Sequence, residues 1–582
     1  MPNFFTENED IVFNFNTLNI GKLAEFAEED FKYASEFAYA PENAADAIDN
    51  YRRILTVVGQ LAGDFIAAQA ESVDREGSHL REDGTVKYAE GIRKDLEMLS
   101  KAQMMGFTLP YRYGGLNCPN LVYTMATEIV SRADAPLMNI FGLQGIAETI
   151  NAFATEEIKQ KYLPKFSTGE YTGAMVLTEP DAGSDLQACK CRAYQDSNGN
   201  WYISGVKRFI TNGCGEILLV LARTEEDRSD GSGLSMLLCE RGPRVKIRRL
   251  EDKLGIHGSP TCEIFFDDAP AILIGERRRG LVPYVMSLMN GARVGIASQS
   301  LGIAEAAYAV ARDYAHSRKQ FGVAIEELPA VRDMLMEMKI SIEAARALTY
   351  ECCWVVDHER WYLWKTESDQ KVENKDELKK LKDEARKFKR LAAMLTPMCK
   401  YFSSEMCNKV AYDSLQVLGG SGYMRDYAVE RHVRDARITN VYEGTSQLQV
   451  VAAVRGIASG TAGKAFDEYQ AEEWPAELKD LLAILKSGAD SLAEVLPIVK
   501  QFGVEYMDLY GRKIVDVACD LFIGYLFMEQ ARHCDRKKEV ARRFITTSAA
   551  RIAANCALIK SGDRSTMDKF NLVVGKLEET VA

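Results

Sequence analysis

The chain has 582 residues and a mass of 65.0 kDa, enough for several domains and a large core. Hydrophobic content of 47% and charged content of 27% fit a soluble globular protein, and no apolar run is long enough to span a bilayer. A formal net charge of −12 argues against generic binding to nucleic acid or an anionic membrane.

The N-terminus, "MPNFFTENEDIVFNF", has no basic region ahead of an apolar run, so no signal peptide is expected. Residues 1–165 read as helical: "NAADAIDNYRRILTVVGQLAGDFIAAQAESV" has apolar residues at helical spacing, and "GFTLPYRYGGLNCPN" breaks the pattern as a loop. Residues 166–280 change texture. Short β-rich runs are split by turn residues, with "DSNGN" as a hairpin turn, which suggests an antiparallel sandwich or barrel. Residues 281–455 return to long apolar-striped helices. The charged stretch 357–390 reads there as a solvated helical excursion. "GIASGTAGKA", residues 456–465, has linker composition, and 466–582 is a further helical block. The expected fold class is α+β, mostly α, with four domains: 1–165 helical, 166–280 β, 281–455 a helical bundle and 456–582 a C-terminal helical extension. The absence of βαβ alternation excludes a doubly wound sheet or a (β/α)8 barrel. Thirteen cysteines are scattered without zinc-ligand spacing, so no metal site is expected and free thiols in a reducing cytoplasm are.

Three stretches carry chemistry. "MVLTEPDAGSD" ends a β-run, with a hydroxyl at Thr178, a close-approach glycine at Gly183 and a further donor at Ser184; its ordinary reading is a decorated turn. "RFITNG" sets an aromatic ring, Phe209, beside the hydroxyl of Thr211, a pair suited to a flat heterocycle. "YEGTSQLQ" puts Glu443 directly before Gly444 and a capped apolar helix. Such a glutamate is either solvated or a base held where helix N–H groups receive an anion.

With "SRKQFG" and "QVLGGSGY", these five motifs make the chain resemble the acyl-CoA dehydrogenase family over residues 50–455. The C-terminal block resembles the extension of its longer branch, which includes very-long-chain and 3-methylmercaptopropionyl-CoA dehydrogenases. The resemblance implies FAD between the β domain and the second helical domain. Met175, Leu177, Thr178, Gly183 and Ser184 would border the flavin. Phe209, where many relatives have Trp, would stack on it, with Ile210 adjacent and Thr211 bonding N5. Arg318, Gln320 and Phe321, with Gln416, Gly419 and Gly420, would reach the FAD of a neighbouring subunit. Thr445 and Gln447 would hold the phosphate and ribose side of the chain's own FAD. Ser184 and Arg293 would contact CoA, as would Asn290, although many relatives carry Asp there. Tyr442 and Gly444 would line the substrate site.

The same resemblance makes Glu443 the catalytic base of acyl-CoA α,β-dehydrogenation, which takes a proton from Cα while a hydride leaves Cβ. A carboxylate of ordinary pKa, about 4.3, is a poor base for that proton, so a dry site is expected to raise it. The thioester oxygen would be stabilised by the FAD ribityl hydroxyl and the Glu443 N–H. Leu137, Met138 and Phe141 would face the acyl chain, Phe141 shortening the tunnel or capping a branched or aryl tail. Electron-transfer flavoprotein is the expected acceptor. An acyl-CoA oxidase using dioxygen and a non-enzymatic, DNA-associated alkylation-response flavoprotein are the alternatives. The nearly neutral C-terminal block, 17 Lys+Arg against 19 Asp+Glu in 461–582, argues against the latter. A cytoplasmic homodimer is expected. His257 is read as structural or on the CoA side rather than as an acid or base, and the basic cluster Arg532–Arg551 as a solvated helix face, with a membrane or acidic-partner contact as the alternative.

Overall fold

The computed structural model describes residues 2–142, 144–367 and 374–576. The chain forms two compact units, Met1–Ala392 with Cys399–Ser446 and Ala393–Met398 with Gln447–Ala582.

The first unit opens with helices α1 (Glu9–Thr17), α2 (Ile20–Ala27) and α3 (Ala44–Gln60). Asn8 and Asn43 cap α1 and α3: each side-chain oxygen accepts two of the orphan N–H groups of the first turn. Then come α4 (Asn120–Ala133) and α5 (Ala135–Phe141).

The sheet follows: β1 (Gly173–Val176), β2 (Arg192–Gln195), β3 (Trp201–Thr211), β4 (Ile217–Arg223), β5 (Leu234–Glu240), β6 (Val245–Leu250) and β7 (Thr261–Leu273). Pairing runs β1–β4–β2–β3–β7–β5, and β5 returns to β4, so the ladder closes into a barrel with β6 laid on β7. The expected antiparallel texture holds except where β4 pairs parallel with β1 and β2. "DSNGN" is the expected hairpin turn: Asp196 N–H donates to Asn200 O at 3.0 Å, with Gly199 at φ +84. The strands β4 and β5 are buried on both faces. Leu219 and Leu238 pack into one core that includes Ile146 and Tyr162, while Leu218 and Leu237 pack into another with Ile203 and Phe266. Cover on both sides explains why their sequences are apolar without alternation.

The helical bundle is α6 (Met286–Ser317), α7 (Pro329–Glu367), α8 (Lys375–Leu418) and α9 (Val429–Thr439). Gly302 lets α6 cross close to α4, since a Cβ there would lie 2.5 Å from the Glu128 carbonyl oxygen. A buried guanidinium ties the bundle to the N-terminal helices. Arg346, fully buried, donates to Asp10 at 2.6 Å, Glu128 at 2.6 Å and Glu305 at 2.8 Å, and Tyr350 Oη donates to Glu128 at 2.7 Å.

The charged stretch 357–390 is not simply solvated; its residues 368–373 lie outside the described residues. Asp357 is buried and accepts from the Asn120 and Leu121 backbone N–H groups at 3.0 and 3.1 Å, anchoring the start of α4. Phe26 of α2 stacks on Trp361 at 4.3 Å, and His358 stacks on Phe388 at 4.8 Å. Charges cover the outer side of a packed aromatic set.

In the second unit, α10 (Ser446–Ala458), α11 (Thr461–Ala471), α12 (Lys479–Phe502), α13 (Val504–Ala531) and α14 (Asp535–Lys560) form a helical bundle around α13. The stretch 456–465 is not a linker. It is the end of α10, a break at Gly460 with φ +89, and the start of α11; Gly456 is small because Met394 packs against it. The basic cluster 532–551 is largely matched by acids on neighbouring helices: Arg532 with Glu472, Lys538 with Glu477, Arg542 with Asp480 and Arg551 with Asp520. All thirteen cysteines are free, and all but Cys534 are buried. No helix among the described residues is long and apolar enough to cross a membrane.

Candidate active site

The two β-domain motifs lie side by side. The Arg208 backbone N–H donates to the Thr178 carbonyl at 2.9 Å. Fully buried Lys207 donates from Nζ to the Leu177 carbonyl at 2.7 Å and pairs with Glu179 at 2.9 Å. Glu179 also accepts from the Lys190 and Cys191 N–H groups at 2.7 and 3.0 Å. Lysine beside a carboxylate with four charge-assisted bonds in a low-dielectric site makes a rigid clasp, and it holds the Leu177–Asp185 turn against β3.

The ladder between β3 and β7 slips between Lys207 and Ile210. At that bulge Phe209 takes φ +60, and its ring is 52% exposed. A bulge re-aims a side chain, so the phenyl face leaves the sheet instead of entering the core, and the Arg208 guanidinium sits 4.6 Å over it. Ile210 is buried in the barrel, and half-buried Thr211 pairs with Thr261. Asn212 is fully buried: its side chain accepts from Tyr88 Oη at 2.5 Å and donates to the Gly173 carbonyl at 3.0 Å. Met175 is half-buried, Leu177 buried, and Gly183 and Ser184 exposed on the turn.

Glu443 lies in the loop between α9 and α10. It adopts φ +53 and Gly444 φ +86, two consecutive left-handed residues. Glycine tolerates this; for a glutamate it costs on the order of 1–3 kcal/mol, a cost typical of functional sites. Lys400 of α8, fully buried, donates from Nζ to the Gly444 carbonyl at 2.7 Å. Burial raises the Glu443 carboxyl to about 7, and the positive charges of Lys400 and Arg293 restrain the rise. Lys400 in turn is brought down to about 8 by burial, against the pull of Glu443. Arg293 of α6 is 8% exposed, donates to Asn290 Oδ1 at 3.1 Å, and keeps a buried Nε without a hydrogen-bond acceptor. It therefore lies in the electrostatic reach of the carboxylate. Tyr442 Oη bonds to Gln299 and, at 3.2 Å, to Asn139 of α5. Gln299 Nε2 also donates to Asn139 Oδ1 at 2.8 Å, and the Asn139 amide nitrogen is buried without an acceptor.

Leu137, Met138 and Phe141 are all buried on α5. The Phe141 ring lies 5.9 Å from both Phe107 and Tyr123, in a packed aromatic cluster. Met138 is the one that turns toward α6: its Cε lies 3.5 Å from where a Gly295 Cβ would be. Arg318, Gln320 and Phe321 form an exposed group just past α6, on a tight hairpin where Phe321 is 90% exposed at φ +53. Tyr314 Oη bonds Ser421 Oγ at 3.3 Å, which brings the exposed Gln416, Gly419 and Gly420 to the same end of the bundle. Thr445 is half-buried, and Gln447 is exposed as the first residue of a segment of the second unit. His257 is held by Asp74 at 2.9 Å, which is paired in turn with Arg434 at 2.6 Å.

Sequence reading missed Lys400, the Lys207–Glu179 clasp and the Asn139–Gln299 pair. A lysine inside the otherwise apolar and small run "AAMLTPMCKYFSS" was the available signal, because lysine is rarely fully buried without a partner. The residues around Phe209 suit a flavin. They offer an outward aromatic face at a bulge, flanking hydroxyls of Thr178 and Thr211, and a turn clamped from behind.

Four family models match in chain order: acyl-CoA dehydrogenase N-terminal domain at 49–170, middle domain at 174–269, C-terminal domain at 294–447, and acyl-CoA dehydrogenase C terminal at 458–566. The chain is 34% identical to an acyl-CoA dehydrogenase of Bacillus subtilis over 373 residues, 63% of this chain and 90% of that one. It is 33% identical to 3-methylmercaptopropionyl-CoA dehydrogenase of Ruegeria pomeroyi over 432 residues, 69% of each. The fold matches the structure of an acyl-CoA dehydrogenase complexed with FAD from Bacillus anthracis, with a TM-score of 0.74 over 91% of this chain and 92% of that one, at 21% identity.

Proposed function

The chain belongs to the acyl-CoA dehydrogenase family, including its C-terminally extended branch, and from that premise we propose that it dehydrogenates an acyl-CoA thioester to the trans-2-enoyl-CoA with Glu443 as base. The observation that carries the reading is Glu443 in a left-handed turn whose next carbonyl is held by buried Lys400, with the charges of Lys400 and Arg293 acting on a carboxyl that burial raises to about 7. A general base works best with a pKa near the operating pH. Above that value Glu443 is a carboxylate able to take the Cα proton, and the bonding pair released becomes the new double bond. The Glu443 N–H is this chain's own donor for the thioester oxygen. FAD, when bound, supplies the acceptor for the Cβ hydride.

Phe209 offers the stacking face, and Thr178 and Thr211 the hydroxyls that orient the ring. Arg293 and Asn290 stand on the substrate side of the base, and Met138 on the side of the acyl tail. The exposed Arg318–Phe321 hairpin, with Gln416, Gly419 and Gly420, supports a second copy completing the cofactor site, so the working form is a homodimer. Electrons then pass to electron-transfer flavoprotein. The test is anaerobic mixing of the yellow protein with a panel of acyl-CoAs. Loss of flavin absorbance is expected, with slow return in air and fast return with electron-transfer flavoprotein. A protein that binds no FAD on reconstitution, or holds FAD that no acyl-CoA bleaches, overturns the reading; fast return in air makes it an oxidase.

A further inference from the structure

We propose that Lys400 is a positioning residue for the reaction: its ammonium pins the Gly444 carbonyl and so holds the Glu443–Gly444 turn, and with it the base, in one orientation. The inference rests on Glu443 being the base.

A lysine with no exposed surface is costly unless its charge is compensated. Lys400 is 0% exposed on a helix face whose Cys399, Ser403 and Ser404 are also buried, and its ammonium donates to a main-chain oxygen, the Gly444 carbonyl at 2.7 Å. That carbonyl belongs to the second of two consecutive left-handed residues. Such a turn is held only where its surroundings over-determine it. Without the bond, the turn loses a charged restraint on its Gly444 carbonyl, and glycine imposes little barrier of its own. The Glu443 side chain, one residue away, would then be held less firmly. A base displaced by about 1 Å can lose on the order of a hundredfold in rate.

Lys400 also acts through charge. The charged and titratable groups acting with Glu443 are Lys400 on α8, Arg293 on α6 and Tyr442 in its own loop; Glu405 acts on Lys400, and Cys399 on Arg293. Of these, Lys400 and Arg293 favour the ionised carboxylate. Removing the Lys400 charge therefore moves the Glu443 titration to higher pH.

The experiment compares Lys400→Met and Lys400→Arg with the wild type as full-length, FAD-loaded protein. Flavin reduction is followed in single turnovers from pH 5.5 to 9, together with KM, flavin content and melting temperature. The Glu443 carboxyl stretch is titrated separately by infrared difference against Glu443→Gln, a readout that needs no turnover. For Lys400→Met the expected result is retained FAD, a limiting reduction rate lowered about 10- to 100-fold with KM within about threefold, and an acid limb and carboxyl titration both moved upward. Lys400→Arg keeps the charge but misplaces the donor, so the rate falls while the titration stays near that of the wild type. Wild-type reduction rates in either variant overturn the proposal. So does a loss of activity that, in folded protein, only tracks lost flavin. If Lys400→Met does not fold, the arginine variant decides alone. Failure of wild-type protein to be reduced by any acyl-CoA would strike the base assignment instead, while the infrared titration still reports whether Lys400 controls the Glu443 carboxyl.

Discussion

The Arg208 N–H reaches the Thr178 carbonyl across 2.9 Å, joining two motifs thirty residues apart into one surface. Behind that bond Lys207 holds Glu179 in a pocket where both are buried. Lys207→Met is expected to leave the Glu179 carboxylate with only its backbone donors and to cost about 3–5 kcal/mol. The Leu177–Asp185 turn should loosen first. Urea unfolding monitored by flavin release and by far-ultraviolet dichroism checks this; loss of flavin at lower urea than loss of helix is the expected order.

Glu443→Gln keeps the size of the side chain and removes the base. It should bind FAD as the wild type does and reduce it at least about 100- to 10,000-fold more slowly. Near-native bleaching by a good substrate in this variant would exclude Glu443 as base.

The acid limb of kcat/KM should follow the free Glu443 carboxyl. Burial raises it to about 7, so the base is protonated below that pH and ionised above it. Activity therefore rises with pH through about 7 and falls about tenfold per pH unit well below it. An acid limb near 4.5 would mean that the carboxyl is not desolvated as the structure has it.

Phe141 and Met138 predict different outcomes from neighbouring positions on α5. The Phe141 ring is fully buried against Phe107 and Tyr123, so Phe141→Ala should cost about 3–5 kcal/mol in stability. Met138 faces Gly295, two residues beyond Arg293, and its thioether limits the space there. Short or branched acyl-CoAs are expected to outpace long linear ones. Met138→Ala should raise kcat/KM for longer chains relative to short ones by about tenfold. A wild-type preference for long linear chains would count against this.

Most of the candidate site was legible because its residues come in short motifs with unusual local chemistry: a glutamate before glycine, an aromatic between charged and hydroxyl residues, a proline-aspartate turn. What could not be read is what depends on packing between distant segments. Lys400 acts on Gly444 from 44 residues away in sequence, and nothing local distinguishes it from a surface lysine except its apolar neighbours. Closure of the barrel depends on the pairing of β4 with three other strands, two of them parallel, which periodicity alone does not specify. The Gly/Ala/Ser run at 456–465 misled because small residues serve flexible linkers and close helix contacts equally; Met394 against Gly456 shows which applies. The 357–390 stretch misled because its charge count hid Trp361, Tyr362 and Phe388, which share one packed side.

Residues ahead of position 49, where the family match begins, are stitched into the bundle at two points. Asp10 is one of the three carboxylates on the buried Arg346, and Phe26 covers the indole of Trp361. Removal of the first 48 residues would therefore strip an interior arginine of one counter-charge and bare a tryptophan on the flank, so a protein cut back to the family match is expected to lose part of its bundle's support.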